Sequence, residues 1–124
     1  MEPLIITSTD TTPDVFFDNN KGIMEIKGAS YDEDSTEFYS RVIDWVDTYE
    51  KDPNSSVILN FHFKYLNSSS AYSLYELLRR FSELTTKGVH ISINWFHSSE
   101  DEDIKEVGEE YSELLNMPFN IKSI

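Results

Sequence analysis

The second half of the chain alternates strand patterns with helix patterns, and this order limits the possible folds more than any other feature. The segments Val57–Leu66 and Val89–Trp95 alternate apolar and polar side chains, as strands with one buried face do. Leucines at helical spacing predict a helix over about residues 69–86, a third helix follows the second strand, and Phe119–Ile124 resembles a last strand. A β-α-β-α-β order requires parallel strands joined by right-handed crossovers.

The same alternation predicts which faces of the sheet are covered. Strands with helices on both faces usually form continuous apolar runs, and these two strands do not. We therefore expect the helices to lie mostly on one face, against Leu59, Phe61, Phe63 and Tyr65. The other face would be open and would carry Asn60, His62, Lys64, His90, Ser92 and Asn94.

The first half of the chain predicts three short strands and one helix. The strands are Leu4–Ser8, Val15–Phe17 and Gly22–Gly28, with a turn-rich stretch before the third. Asp34 is predicted to cap the first helix, whose apolar stripe is Phe38, Val42, Trp45, Val46 and Tyr49. The whole chain, residues 1–124, is thus predicted to be a single mixed α/β domain. Its mixed β-sheet would have about six strands and its three helices would lie mostly on one face.

Charge and composition limit the possible partners. The 23 acidic and 10 basic residues give a net charge of -13, which disfavours nucleic acid and anionic membrane surfaces. The same charge would suit a basic protein partner, or it could serve only to keep the domain soluble. The absence of cysteine excludes disulfides and thiolate chemistry. The N-terminus contains neither a signal peptide nor a membrane span, so a cytoplasmic location is expected.

The junction Tyr65-Leu66-Asn67-Ser68-Ser69-Ser70-Ala71 is the most informative segment for function. It joins a strand to a helix at the carboxyl edge of the sheet, where sites in α/β folds gather. A phosphate on Ser68 or Ser69 would lie among the free N–H groups of the first helical turn. Asn67 or Ser68 can also accept a hydrogen bond from those N–H groups, so the run could be only an ordinary helix cap, and both interpretations remain open. Tyr65, Tyr72 and Tyr75 flank the run and are candidates for partner binding.

Other candidate sites have ordinary structural explanations. His62, His90 and His97 lack metal-binding spacing and are expected to be exposed strand residues. The acidic run 100–103 fits a charge-matched helix start better than a calcium loop. Ser68 lacks a glycine elbow and an evident histidine partner, so a small hydrolase is disfavoured. We expect no catalytic residue, no metal and no cofactor.

Several segments, taken in order, resemble the SiaC family of bacterial biofilm-regulating phosphoproteins, whose fold is STAS-like. They are Ile6-x-x-Thr9-x-x-Thr12-Pro13, Gly28-Ala29-Ser30-Tyr31, Val42-Ile43-Asp44-Trp45-Val46, the serine junction and Met117-Pro118-Phe119. The resemblance implies that Ser68, where threonine is typical, is phosphorylated by a dedicated serine/threonine kinase and dephosphorylated by a PP2C-type phosphatase. Asn67, Ser69 and Ser70 would surround this phosphosite.

The resemblance also implies a regulated enzyme, a diguanylate cyclase that makes cyclic-di-GMP and is bound by the unmodified protein. An alternative from the wider STAS-like group is an antagonist of an anti-sigma factor in a partner-switching cascade. Both interpretations describe a non-catalytic signalling protein that a phosphate switches between partners.

Overall fold

The computed structural model describes residues 1–31 and 35–124. Its elements are β1 (Leu4–Ile6), β2 (Asp14–Asp18), β3 (Ile23–Ser30), α1 (Thr36–Tyr49), β4 (Ser56–Leu66), α2 (Ser68–Leu84), β5 (His90–His97), α3 (Glu102–Leu115) and β6 (Phe119–Ser123). A short 3-10 turn, Thr85–Lys87, ends α2. In the described part of the chain, no helix is both long enough and apolar enough to span a bilayer.

The strands form one mixed sheet of six strands whose spatial order equals their order in the chain. β1 pairs with β2, and β2 with β3, in the antiparallel orientation. β3, β4, β5 and β6 then pair in the parallel orientation. The predicted mixed sheet is therefore confirmed. The first strand is shorter than predicted, because the Ser8 N–H donates to the Asp14 carboxylate at 2.7 Å as the chain turns back.

One face of the sheet packs against the helices and forms the core. Its largest fully buried side chains include Phe17, Met24, Ile26, Tyr39, Tyr49, Leu59, Phe61, Leu74, Leu77, Leu78, Phe81 and Trp95. On the opposite face, Lys64 and His90 are exposed, and Asn60, His62, Ser92 and Asn94 are partly exposed. The predicted open polar face is confirmed, and it also exposes the apolar side chains of Phe16 and Ile58.

Tyr65 does not face the core, so the prediction that it packs against the helices was wrong. Gly28 pairs with Phe63 while Ala29 pairs with Tyr65, so β4 contains one extra residue, Lys64, at this point. Such a bulge breaks the two-residue alternation and turns the next side chain outward. Tyr65 is consequently 43% exposed.

The start of α1 involves a serine. The helix begins at Thr36 with Ser35 at the N-cap position, and the Ser35 side chain makes no capping hydrogen bond. The predicted cap, Asp34, lies in residues 32–34, outside the described residues.

Candidate functional site

Asn67 shapes the junction between β4 and α2. Its side-chain oxygen accepts from the Ser70 N–H at 2.8 Å, and its backbone carbonyl accepts from the Ala71 N–H at 2.9 Å. Its amide nitrogen donates to the Tyr31 carbonyl at 2.9 Å. The predicted cap is thus present, and it also ties the helix start to the end of β3.

The three serines after Asn67 lie in different environments. Ser70 is fully buried, and its hydroxyl contacts Ser30. Ser69 is partly buried, and its hydroxyl lies 2.8 Å from that of Ser35. Ser68 is exposed, and its hydroxyl makes no hydrogen bond within the described ranges 1–31 and 35–124. Of the three candidate acceptors, only Ser68 presents its hydroxyl to solvent without first breaking an internal contact.

Beneath Ser68, hydroxyl groups form a buried cluster that joins three elements. The Ser30 hydroxyl donates to Ser70 Oγ at 2.6 Å and lies 3.1 Å from the Tyr39 hydroxyl. The Ser35 hydroxyl lies 3.2 Å from that of Ser73. Burial raises the pKa of Tyr39 to about 12, and the hydrogen bond with Ser30 offsets part of that increase. Tyr39 therefore stays neutral at physiological pH and serves as a structural hydroxyl.

The first turn of α2 is chemically suited to an anion. It carries no acidic residue, and the positive end of the helix dipole lies there. Within the described residues, Ser68 and Ser69 have no partner for their backbone N–H groups, since the Asn67 cap bonds Ser70. A phosphate attached to Ser68 would gain these donors and the dipole without displacing any core group.

The sequence of this chain matches a known family over almost all of its length. Residues 6–124 match the model for the SiaC family regulatory phosphoproteins. The chain belongs to the SiaC family. It is therefore a member of a family of regulatory phosphoproteins, and the resemblance predicted from its motifs is confirmed.

Relatives from Pseudomonas aeruginosa share the whole length of this SiaC family chain. An uncharacterized protein of strain UCBPP-PA14 is 32% identical over 123 residues, covering 99% of this chain and 98% of the relative. The crystal structure of apo-SiaC matches with a TM-score of 0.89 at 31% identity, covering 99% of this chain and 100% of that one. A chain in the crystal structure of the diguanylate cyclase SiaD with its activator SiaC matches with a TM-score of 0.89 and 31% identity. That match covers 98% of this chain and 99% of the other.

Aromatic side chains surround the junction in this SiaC family member. Tyr65 stacks on Tyr31 with ring centroids 4.6 Å apart, and both rings are exposed. Tyr72, one turn after Ser68, is 70% exposed, whereas Tyr75 is partly buried against the core. Tyr65 and Tyr72, three residues before and four residues after Ser68 in the chain, are thus exposed, whereas Tyr75 is only partly exposed.

The histidines do not assemble into a site. His62 pairs with Phe96 and His90 pairs with Ser56, so the two imidazoles lie at different levels of the sheet. His97 is buried, against the prediction of exposure, because it points to the helix-covered face of β5 like Trp95 two residues earlier. In residues 1–31 and 35–124, no group of three or more His, Asp or Glu side chains could hold a metal ion.

The acidic run at the start of α3 has the structural role predicted for it. Asp101 caps the helix by accepting from the Ile104 N–H at 3.0 Å, and Glu102 and Asp103 lie in the first turn. Negative charge at this end complements the helix dipole.

Sequence reasoning did not identify several residues that build the site. Tyr31, Ser30 and Tyr39 support the junction from β3 and α1, and Tyr111 supports it from α3 through a 2.6 Å bond to the Ala71 carbonyl. The segment Gly28–Tyr31 carried a signal, since it was among the motifs of the resemblance. Its contact with residues about 40 positions later arises only from the parallel pairing of β3 with β4.

Proposed function

We propose that this protein is a phosphorylation-switched signalling protein, with Ser68 as the phosphoacceptor. The observation that carries the proposal is the contrast among the three serines of the junction. Ser68 alone is exposed with a hydroxyl that has no partner among the described residues, and it lies on the first turn of a 17-residue helix. Ser69 and Ser70 would each lose an internal hydroxyl contact on modification.

The regulated partner in this proposal is a diguanylate cyclase, bound by the unmodified form. Support comes from the match to a chain in the complex of SiaD with its activator SiaC, at 31% identity over almost the full length. A dedicated serine/threonine kinase would add the phosphate and a PP2C-type phosphatase would remove it. The protein itself would be non-catalytic. Because cyclase substrates are cytoplasmic nucleotides, the proposal includes a cytoplasmic location.

Whether phosphorylation strengthens or weakens partner binding depends on two energies, the attraction of the phosphate to basic groups and the cost of removing it from water. A phosphate dianion at Ser68 attracts basic groups on a partner, but an exposed ion pair contributes only about 0–1 kcal/mol. Burying that dianion in a tight interface costs several kcal/mol unless it is fully paired. In a close-packed interface around Ser68 the desolvation cost exceeds the attraction, so phosphorylation releases the partner.

The surface that would meet the partner includes Tyr65, Tyr72 and Tyr75. Large, rigid aromatic side chains are enriched at the energetic centres of interfaces. Tyr65 and Tyr72 are exposed, and both lie within four residues of Ser68 in the sequence. A modification at Ser68 would therefore change charge and hydration on a segment that carries both aromatic side chains.

Intact-mass measurement and phosphopeptide mapping of the protein from its native cells test the proposal. The expected result is a fractional gain of about 80 Da localised to Ser68, absent from a Ser68→Ala chain. Ser69→Ala is the matched control and should still be modified. Equal phosphorylation of the Ser68→Ala chain would contradict the assignment. Undiminished binding of the phosphorylated protein to the cyclase would contradict the proposed direction of the switch.

A further inference from the structure

The open face of the sheet carries a cavity that the proposed function does not use. It encloses about 320 Å³, within the range of small-molecule sites. Its lining comes from β3, β4, β5 and the residue after β6: Glu25, Lys27, Asn60, His62, Phe96 and Ile124. Met24, Ile26 and Phe61 alternate with these residues and are buried in the helix-covered core. The cavity and the α2 junction that carries Ser68 therefore lie on opposite sides of the sheet.

Three lysine side chains surround this cavity. The strand register places four side chains in one row across β3 to β6, namely Lys27, His62, Phe96 and Lys122. Adjacent strands are about 4.8 Å apart, so the row spans about 14 Å. Lys64 follows His62 along β4 on the same open face. Within the described part of the chain, none of the three lysines forms a salt bridge.

The charges around His62 are positive on balance. The pKa of His62 lies below its ordinary value, first because the imidazole is partly buried and then because Lys27 and Lys64 disfavour a further positive charge. Glu25 acts in the opposite direction and is the weakest of these influences. Asp14 pairs with Lys27 from β2, but its carboxylate already accepts from a backbone N–H at 2.7 Å. The cavity therefore attracts an anionic group although the net charge of the chain is -13.

Glu25 and Asn60 place an acceptor and a donor side by side in the cavity. They are direct neighbours on β3 and β4. The Asn60 side-chain oxygen accepts from Asn94 at 2.8 Å, and Asn120 donates to Asn94 at 3.3 Å, so this amide ladder fixes the orientation of Asn60. In residues 1–31 and 35–124, the Asn60 Nδ2 group and the Glu25 carboxylate have no hydrogen-bond or ion-pair partner. Both groups are available to a ligand.

This pair matches the Watson–Crick edge of guanine. That edge carries the O6 acceptor beside the N1–H and N2–H₂ donors, so an amide N–H and a carboxylate satisfy it together. Adenine has an amino donor in place of O6 and an acceptor in place of N1–H, and an ionised carboxylate cannot donate to that acceptor. An acidic peptide would bring a second carboxylate against Glu25. Guanine is therefore the group that explains a carboxylate within a lysine-rich cavity.

Phe96 offers a surface on which a base can stack. Its ring is partly exposed, and the His62 ring lies edge-on to it with centroids 6.4 Å apart. The Lys122 Nζ atom lies 5.8 Å from the centroid of the same ring. Bases stack on aromatic side chains, and lysine binds phosphate as a compact positive charge. A stacked base thus has a phosphate-binding group beside it.

We propose that this cavity binds a guanine nucleotide. The base stacks on Phe96 and presents its Watson–Crick edge to Glu25 and Asn60, while the phosphate lies among the three lysines. The inference goes beyond the proposed function and does not depend on it, because the cavity shares no residue with the Ser68 junction.

Amide NMR spectra of the isotopically labelled chain, titrated with GMP, AMP or inorganic phosphate, test the proposal. We expect GMP to bind at least about tenfold more tightly than AMP, and phosphate more weakly than either. The signals that move should be those of β3, β4 and β5 around Glu25, Asn60 and Phe96. Equal affinities for GMP and AMP, shifts confined to the helices, or no shift up to about 5 mM GMP would overturn the proposal.

Glu25→Gln separates guanine recognition from general attraction of anions. The change removes the group that accepts from guanine and also removes a negative charge near the phosphate. We expect the preference for GMP over AMP to fall below about twofold, while inorganic phosphate binds more tightly. If Glu25 acted only through its charge, the affinities for GMP and AMP would rise equally and the preference would persist. That result would overturn the assignment of Glu25.

A matched pair of lysine variants tests the phosphate contacts. Lys64→Ala should weaken GMP binding about threefold to tenfold, whereas Lys51→Ala, the same charge change just after α1, should change it less than about twofold. Equal effects would show that only net charge matters and would overturn the site.

Titrations with GTP and with cyclic-di-GMP distinguish two sources of the guanine nucleotide. The one that binds more tightly than GMP is the ligand, and Glu25→Gln should weaken either. The Ser68→Ala chain should bind GMP as wild type does. Loss of GMP binding in that variant would contradict the separation of the two sites, whereas a failure of GMP to bind wild type leaves the proposed switch at Ser68 unaffected.

Discussion

Ser30 and Ser70 are joined through two hydrogen bonds in the protein interior. The Ser30 hydroxyl donates to Ser70 Oγ at 2.6 Å. The Ser70 hydroxyl in turn donates to the Ser30 backbone carbonyl oxygen at 3.3 Å. The two residues are 40 positions apart, so this pair fastens the first turn of α2 to the end of β3. The turn that carries Ser68 is therefore held rigidly while Ser68 itself stays exposed.

Replacing Ser70 by alanine should destabilise the fold without removing the phosphosite. The change leaves the buried Ser30 hydroxyl and carbonyl with fewer partners, which costs about 1–3 kcal/mol in the free energy of unfolding. Urea denaturation followed by circular dichroism measures the loss. Ser68→Ala is the control and should stay within about 0.5 kcal/mol of wild type, since its hydroxyl is exposed. Equal stability of the two variants would show that the buried pair contributes nothing.

Much of the fold could be predicted because its signals are local. The alternation in β4 and β5 identified the covered face of the sheet, and the leucine stripe of α2 identified the helix that lies on it. Tyr65 was placed on the wrong face because one extra residue, Lys64, interrupts the pairing of β4 with β3. A bulge moves the following side chains to the other face of the sheet, whereas the apolar–polar alternation of the sequence continues unbroken.

The candidate site was only partly predictable for a different physical reason. Asn67 and Ser68 could be identified because a cap and an exposed first-turn hydroxyl are properties of one segment. The environment of Ser69 depends on Ser35, the N-cap residue of α1, and that of Ser70 depends on Ser30 in β3. The hydrogen bond from the Tyr111 hydroxyl to the Ala71 carbonyl joins α3 to α2, and it requires the crossover geometry of the whole sheet.

Substitutions at Asn67 should separate its two roles. Asn67→Ala removes the acceptor that caps α2 and the donor to the Tyr31 carbonyl. We expect it to lower the free energy of unfolding by about 1–2 kcal/mol. Asn67→Asp keeps a capping oxygen, now charged, at the positive end of the helix but loses the donor. We expect the melting temperature, measured by thermal denaturation, to be highest for wild type, lower for Asn67→Asp and lowest for Asn67→Ala. An alanine variant as stable as the aspartate variant would show that the cap does not matter here.

Gly108 on α3 should not tolerate a side chain. A Cβ atom there would overlap the Trp95 ring, which is fully buried and fixed by a 2.8 Å bond from Nε1 to the Ile104 carbonyl. Alanine in a helix normally gains about 1 kcal/mol over glycine, but overpacking of a core costs about 1–3 kcal/mol. We expect Gly108→Ala to lower the free energy of unfolding, measured in urea. Glu106→Ala, a change at an exposed position of the same helix, should leave the free energy of unfolding unchanged or raise it slightly. A similar rise for Gly108→Ala would contradict the close packing of Gly108 against Trp95.

Alkaline pH should destabilise the protein through its buried tyrosines. Burial raises the pKa of Tyr39 from 10.0 to about 12, and burial also raises the pKa of Tyr111, with the charges of Tyr39 and Glu110 adding to the effect. Above about pH 10 the unfolded chain loses phenol protons that the folded chain retains, so stability falls as pH rises. The contribution of the Tyr39 phenol to the free energy of unfolding is fully present below about pH 10, the pKa of an unfolded tyrosine. It is lost as the pH rises through the folded pKa of about 12. A two-unit difference corresponds to about 2–3 kcal/mol.

Urea unfolding between about pH 8 and about pH 11 measures this dependence, with Tyr39→Phe as the informative variant. At pH 8 the variant should be about 1 kcal/mol less stable, because the Ser30 hydroxyl loses one of its two hydrogen-bond partners. At the alkaline end its stability should fall less steeply than that of wild type, because one buried phenol has been removed. Tyr72→Phe removes an exposed phenol and should reproduce the wild-type slope. Parallel slopes for wild type and Tyr39→Phe would mean that Tyr39 ionises as readily in the folded chain as in the unfolded one, and the buried position of its hydroxyl would then be wrong.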